Sequence, residues 1–100
     1  MNSDNHISSL RAIYKDHRDE VLESETQMTL RVATYASLDR KDRLQGLTVD
    51  EQATIDSLDA DFVWVTALQA ARDQAIADIN SASSDDAAIA IIDAVVWPAR

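Results

Sequence analysis

Cysteine is absent from the 100-residue sequence, which excludes a disulfide framework, a thiol nucleophile and a thiolate metal site. Only one glycine and one proline are present, too few for a sheet protein that needs a turn every few residues. Basic residues are also scarce, since nine Lys and Arg stand against eighteen Asp and Glu, for a net charge of -9. This balance argues against nucleic acid or anionic membrane as a partner, because phosphate attraction requires clustered Lys and Arg.

The remaining composition is helical: 46% of residues are hydrophobic, but only 5% are aromatic. No apolar stretch is long enough to span a membrane, and the first ten residues lack the apolar core of a signal peptide. We therefore expect an intracellular, all-α protein, with residues 1–100 forming a single helical domain.

A heptad pattern predicts one long first helix over about residues 4–45. Five apolar residues recur every seven positions and form one stripe: Ile7, Tyr14, Val21, Met28 and Tyr35. The companion row has leucine at both ends but polar residues between them: Leu10, His17, Ser24, Arg31 and Leu38. These polar residues weaken the case for a self-sufficient two-stranded coiled coil. Five further residues lie outside both rows and widen the apolar surface: Ile13, Leu22, Leu30, Val32 and Ala36.

The stretch LQGLTVDEQ, residues 44–52, predicts a tight turn between two helices. Gly46 can adopt the left-handed conformation that ends a helix. Thr48 and Glu51 have the spacing of a capping box, which starts the next helix. Because so short a connection forces its helices to run antiparallel, the sequence predicts a helical hairpin.

The second helix is predicted over about residues 49–80. Its apolar residues follow steps of three and four and cover roughly half the circumference, more than one packing partner needs. At about 1.5 Å per residue, a 40-residue helix would be about 60 Å long, so the hairpin alone has no closed core. We therefore expect further cover from the C-terminus and from self-association into a dimer or trimer.

Residues 81–100 are expected to form a C-terminal docking segment. Ser84 can cap a short helix over about residues 85–93, and Pro98 favours an extended tail around Trp97. A helix of this length is not stable alone. The segment must therefore dock, either onto its own hairpin or onto another copy.

No constellation of residues indicates catalysis, a metal or a cofactor. His6 and His17 are three helical turns apart, too far to share a metal ion, and His17 fits an interface or the edge of the core. Asp56, Asp59 and Asp61 could form a carboxylate cluster, but Asp56 and Asp59 lie toward the solvated side of the predicted helix, so a charged face is the better interpretation. Arg31 and Arg72, both on apolar stripes, are expected to pair with acids across the hairpin or to contact a partner protein.

The stretch WVTALQAARDQAIADI, followed after a polar break by VVWPAR, resembles the C-terminal module of small bacteriophage tail assembly proteins, including tail fibre assembly chaperones. The resemblance covers residues 64–98 and is carried by Trp64, by Arg72 with Asp73, and by Trp97 with Pro98. It implies no catalysis and no cofactor. It implies a small acidic helical protein that binds tail components in the host cytoplasm during assembly, as a transient chaperone or as part of the virion.

The sequence thus favours a non-enzymatic interaction protein that serves phage tail assembly or tail structure. The alternatives are a generic helical adaptor or regulatory subunit and, in a different class, a small enzyme or ligand binder. The candidate partner-binding residues come from the last third of the chain: Trp64, Leu68, Arg72, Ile91, Ile92, Val96, Trp97 and Pro98. Whether Trp97 docks on its own chain or on a partner is left open by the sequence.

Overall fold

The computed structural model describes residues 2–22 and 25–100, which contain four helices and no strand. The helices are α1 (Ser3–Leu22), α2 (Glu25–Gln45), α3 (Val49–Asn80) and α4 (Asp85–Ala94). Both α1 and α2 run antiparallel to α3, in an elongated molecule of 58 × 20 × 19 Å. The all-α prediction is confirmed.

The first arm of the hairpin consists of two helices, where the sequence predicted one over residues 4–45. The carbonyl oxygen of Leu22 accepts a hydrogen bond from Arg31 Nη1 at 3.0 Å. In an unbroken helix this carbonyl accepts from the amide four residues later. Arg31 is nine residues later, about two and a half turns away, so its side chain would not reach this carbonyl if the helix continued. The Arg31 side chain thus caps the end of α1. Ser24, on the predicted companion row, lies outside the described residues.

The turn between α2 and α3 has the predicted geometry. Gly46 has a φ of 81°, and its N–H donates to the carbonyl of Asp42 at 3.2 Å, which closes the end of α2. The Thr48 hydroxyl accepts from the Glu51 N–H at 3.2 Å, and the Glu51 carboxylate accepts from the Thr48 N–H at 3.1 Å. This reciprocal capping box fixes the start of α3 at Val49.

The C-terminal segment also begins as predicted. The Ser84 hydroxyl accepts from the Ala87 N–H at 3.1 Å and caps α4, which ends at Ala94, one residue beyond the predicted end. Residues 95–100 are not helical and are called here the strap. They continue from α4 along the groove between α1 and α3.

The buried residues divide the molecule into a thick and a thin half. The thick half, called the body, packs α1, the later part of α3 and α4 around two connected clusters. These contain Leu10, Tyr14, Leu22, Trp64, Val65, Leu68, Ala75, Ile79 and Ala88. The thin half, called the arm, consists of α2 and residues 49–63 of α3. No side chain of α2 between Gln27 and Gln45 is fully buried, because α4 makes no contact with α2 among the described residues.

Candidate interaction surfaces

Trp97 docks onto its own hairpin. Its ring stacks on His17 of α1 with centroids 5.3 Å apart, and lies 6.4 Å from the Tyr14 ring. It packs against both apolar clusters of the body. The strap therefore supplies the apolar cover that the wide face of α3 requires. His17 lies at the edge of the core, as the sequence indicated.

Three polar contacts hold the strap on α3. The Trp64 indole Nε1 donates to the carbonyl of Pro98 at 2.8 Å. Arg100 Nε lies 2.6 Å from Asp61 Oδ1, and Arg100 Nη2 donates to the carbonyl of Ser57 at 3.4 Å. Asp61 is only 7% exposed and also lies 3.7 Å from Arg31 Nε. The charged-face interpretation is thus wrong for Asp61, which is buried between two guanidinium groups, whereas Asp56 and Asp59 are exposed.

Both histidines of the chain join α1 to the C-terminal segment. His6 Nε2 lies 2.8 Å from Asp85 Oδ1 at the start of α4, and His17 stacks on Trp97 of the strap. The hydrogen bond from His6 holds the pKa of Asp85 below its ordinary value. The N-terminal helix is therefore linked to both ends of the segment that covers it.

The candidate partner-binding residues predicted from the sequence mostly make contacts within the chain. Trp64 and Leu68 are buried, and Ile91, Ile92, Trp97 and Pro98 are half-buried in or beside the body. The guanidinium of Arg72 lies 4.6 Å from the Tyr14 ring centroid and bonds Asp73 at 2.9 Å. Val96 is the exception, at 86% exposed. In this fold Trp64 and Trp97 hold the strap on the body, whereas Ile91 and Ile92 pack α4 against it.

The arm carries an apolar surface that the sequence did not single out as a partner site. Tyr35 of α2 and Phe62 of α3 meet edge to face, with centroids 5.4 Å apart, and both remain half-buried. Beside them, Val32 is 50% and Val63 is 71% exposed. These four residues and the exposed Ala36 are called here the arm patch. Val32 and Ala36 lay outside the heptad rows together with Ile13, Leu22 and Leu30, and Leu22 is buried, so this pattern did not distinguish the arm from the body.

Electrostatic contacts tie α2 to α3 along the arm. A hydrogen bond to Asp59 raises the pKa of Tyr35. Near the turn, Lys41 Nζ lies 2.6 Å from Glu51 Oε1. Hydrogen bonds from Lys41, and then from the Thr48 backbone N–H, hold the pKa of Glu51 below its ordinary value. The Glu51 carboxylate therefore serves both the capping box and the link between the helices.

Glu51 is expected to make stability depend on pH. Because its pKa is lower in the folded state, its contribution is fully present above the ordinary glutamate pKa of about 4.3. It is lost as pH falls through the lowered folded-state pKa. We expect Glu51→Gln to melt lower than the natural chain at neutral pH, with the difference shrinking below about pH 4. Circular dichroism melts across this range measure it, with the exposed Glu20→Gln as control. A difference independent of pH would contradict the assignment.

Within residues 2–22 and 25–100, no group of three or more His, Asp or Glu side chains is arranged to hold a metal ion. Across the same residues, none of the helices combines the length and the apolar character needed to cross a bilayer. No family model, curated protein or solved structure matches the chain.

Proposed function

We propose that this protein is a non-enzymatic protein–protein interaction module that acts as a helical scaffold in bacteriophage tail assembly or tail structure. The arm patch is the observation that carries the proposal. It exposes aliphatic side chains beside two aromatic rings, on the half of the molecule that consists of α2 and the first part of α3. Aromatic residues within apolar surroundings are typical of interface centres.

The phage assignment is supported by the residues that carry the resemblance to tail assembly proteins. Although Trp64 and Pro98 are 34 positions apart, they are joined by a hydrogen bond. Arg72 and Trp97 approach the same Tyr14 ring, at 4.6 and 6.4 Å. The pattern is thus one spatial unit that closes the body with the strap. This division leaves the arm to contact a tail component, in the host cytoplasm or in the virion.

The proposal is tested by capture of partners on the immobilised full-length chain, from cells that produce phage particles, with identification by mass spectrometry. We expect an identified tail component to be retained by the natural chain and by Leu44→Glu. We expect the same component to be lost with Val63→Glu. Leu44 is a matched control, because it is 75% exposed on the arm and lies outside the arm patch.

Two outcomes would contradict the proposal. Specific retention of a host protein without any tail component would favour the generic adaptor. Equal retention by Val63→Glu and the natural chain would show that the arm patch is not the contact surface.

A further inference from the structure

We propose that Asp61 couples docking of the strap to the junction between α1 and α2, because two guanidinium groups share its one carboxylate. With Arg100 on Asp61, Arg31 is available to cap the end of α1. When Arg100 leaves, Arg31 moves onto Asp61 and the Leu22 carbonyl loses its cap. These contacts all lie within the chain, so the inference does not depend on the proposed function.

Asp61 requires a cationic partner, since its side chain is only 10% exposed. A buried carboxylate that loses its partners is strongly destabilising. Arg100 Nε lies 2.6 Å from Asp61 Oδ1, whereas Arg31 Nε lies 3.7 Å from Oδ2, beyond hydrogen-bond distance. Arg100 is therefore the principal partner of Asp61, and Arg31 is the partner in reserve.

Arg31 has a second acceptor at the end of α1. Its Nη1 donates to the Leu22 carbonyl at 3.0 Å, and this carbonyl has no helical partner once α1 ends. One guanidinium thus serves two acceptors. A carboxylate binds a guanidinium more strongly than a neutral carbonyl does, so Arg31 stays on Leu22 only while Arg100 satisfies Asp61.

The structure gives Arg31 room to make this exchange. An open cleft beside the ion pair is lined by Arg31, Thr54, Ser57 and Asp61, and the Arg31 side chain is 26% exposed. A movement of about 1 Å brings its Nε within hydrogen-bond distance of the carboxylate. Because Arg31 adjoins Val32, the exchange connects the strap on the body to the arm patch.

The carbonyl-carbon chemical shift of Leu22 depends on its hydrogen bond, so NMR of the full chain tests the exchange. Arg31→Met removes the cap and defines the uncapped value. Arg100→Met leaves Arg31 in place and is expected to move the Leu22 shift most of the way to that value. Arg43→Met is the matched control, because it removes a guanidinium from an exposed ion pair with Asp39 in α2. We expect it to leave the Leu22 shift unchanged.

Neutralisation of Asp61 separates the exchange from indirect effects of losing Arg100. In the Asp61→Asn chain, no carboxylate draws Arg31 away from Leu22. Addition of Arg100→Met to this chain is therefore expected to leave the Leu22 shift where Asp61→Asn alone sets it. An equal change of the Leu22 shift in both backgrounds would overturn Asp61 as the link.

Urea unfolding of the same variants measures the sharing of the carboxylate. After Arg31→Met or Arg100→Met alone, one guanidinium remains for Asp61, and after both substitutions none remains. We expect the double variant to raise the unfolding equilibrium constant about fivefold or more beyond the product of the two single effects. With Asp61→Asn, the two single effects are expected to multiply. Circular dichroism confirms that each variant folds.

Three results would overturn the coupling. The first is a Leu22 carbonyl shift that Arg100→Met leaves at its natural value. The second is a shift that Arg43→Met moves as far as Arg100→Met does. The third is a double variant of Arg31 and Arg100 whose unfolding equilibrium constant equals the product of the single effects while Asp61 is intact.

Discussion

Replacement of Leu68 by alanine is expected to lower the free energy of unfolding by about 3 kcal/mol or more. Leu68 has no exposed surface and belongs to the cluster that contains Tyr14, Leu22 and Trp64. Its truncation removes buried methyl groups and leaves a cavity between α1, α3 and the strap. The surrounding helices move only partly into this cavity. The destabilisation therefore exceeds the lost transfer free energy of the removed methyl groups.

Thermal and urea unfolding followed by circular dichroism measure this effect. For a chain of about 100 residues, 3 kcal/mol corresponds to a fall in melting temperature on the order of 15 °C. The exposed Leu44→Ala is the matched control and is expected to change stability by less than about 0.5 kcal/mol. Similar losses for Leu68→Ala and Leu44→Ala would contradict the placement of Leu68 at the centre of the body.

Replacement of Trp97 by alanine is expected to cost about 2 to 3 kcal/mol. The side chain is half-buried, so the expected loss lies below that of a fully buried tryptophan. The substitution removes the stack on His17 and uncovers apolar surface of both clusters. Removal of residues 95–100 is expected to cost at least as much, because it also deletes the contacts of Pro98 with Trp64 and of Arg100 with Asp61.

Val96→Ala provides the control for Trp97→Ala, since Val96 is the neighbouring residue and is 86% exposed. We expect Val96→Ala to melt like the natural chain. If Trp97→Ala also melted like the natural chain, the strap would contribute nothing to the body. In that case the wide apolar face of α3 would need another source of cover.

The elements that the sequence predicted correctly are those fixed by local chemistry. Gly46 is the only glycine and has a positive φ, and Thr48 and Glu51 complete a motif within four residues. Ser84 likewise caps α4 through a bond to an amide three residues away. Each signal lies within one helical turn, so the neighbouring residues decide the backbone conformation without reference to the rest of the chain.

The end of α1 at Leu22 was missed because its stabilising contact is not local. Heptad spacing continues through residues 7–38, and the capping side chain, Arg31, comes nine residues after the carbonyl that it satisfies. One local signal was available. Residues 24–27 read Ser-Glu-Thr-Gln, which matches the capping-box pattern before a helix. Neither a proline nor a glycine interrupts the heptad spacing there, so the periodicity alone predicted one helix.

The sequence did not show which of the candidate partner-binding residues contact their own chain, for a similar reason. The spacing of apolar residues shows how much of the surface of α3 must be buried. It does not show which segment of the chain buries it, because that depends on tertiary packing. His6 meets Asp85 across 79 positions, and Arg100 meets Asp61 across 39. With the strap on the body, most of the exposed large apolar side chains lie on the arm, Val32 and Val63 among them, while Ile89 and Val96 are exposed at the C-terminal segment.

The placement of Trp64 and Trp97 has a spectroscopic consequence. They are the two tryptophans of the chain, and both lie at the strap, whereas the arm patch contains tyrosine and phenylalanine. Selective excitation of indole emission therefore reports on the strap and on the part of the body around Trp64, without a label. Detachment of the strap will shift this emission to longer wavelength, as both rings meet water. Association through the arm will leave it unchanged, so one optical signal separates the two events in the natural protein.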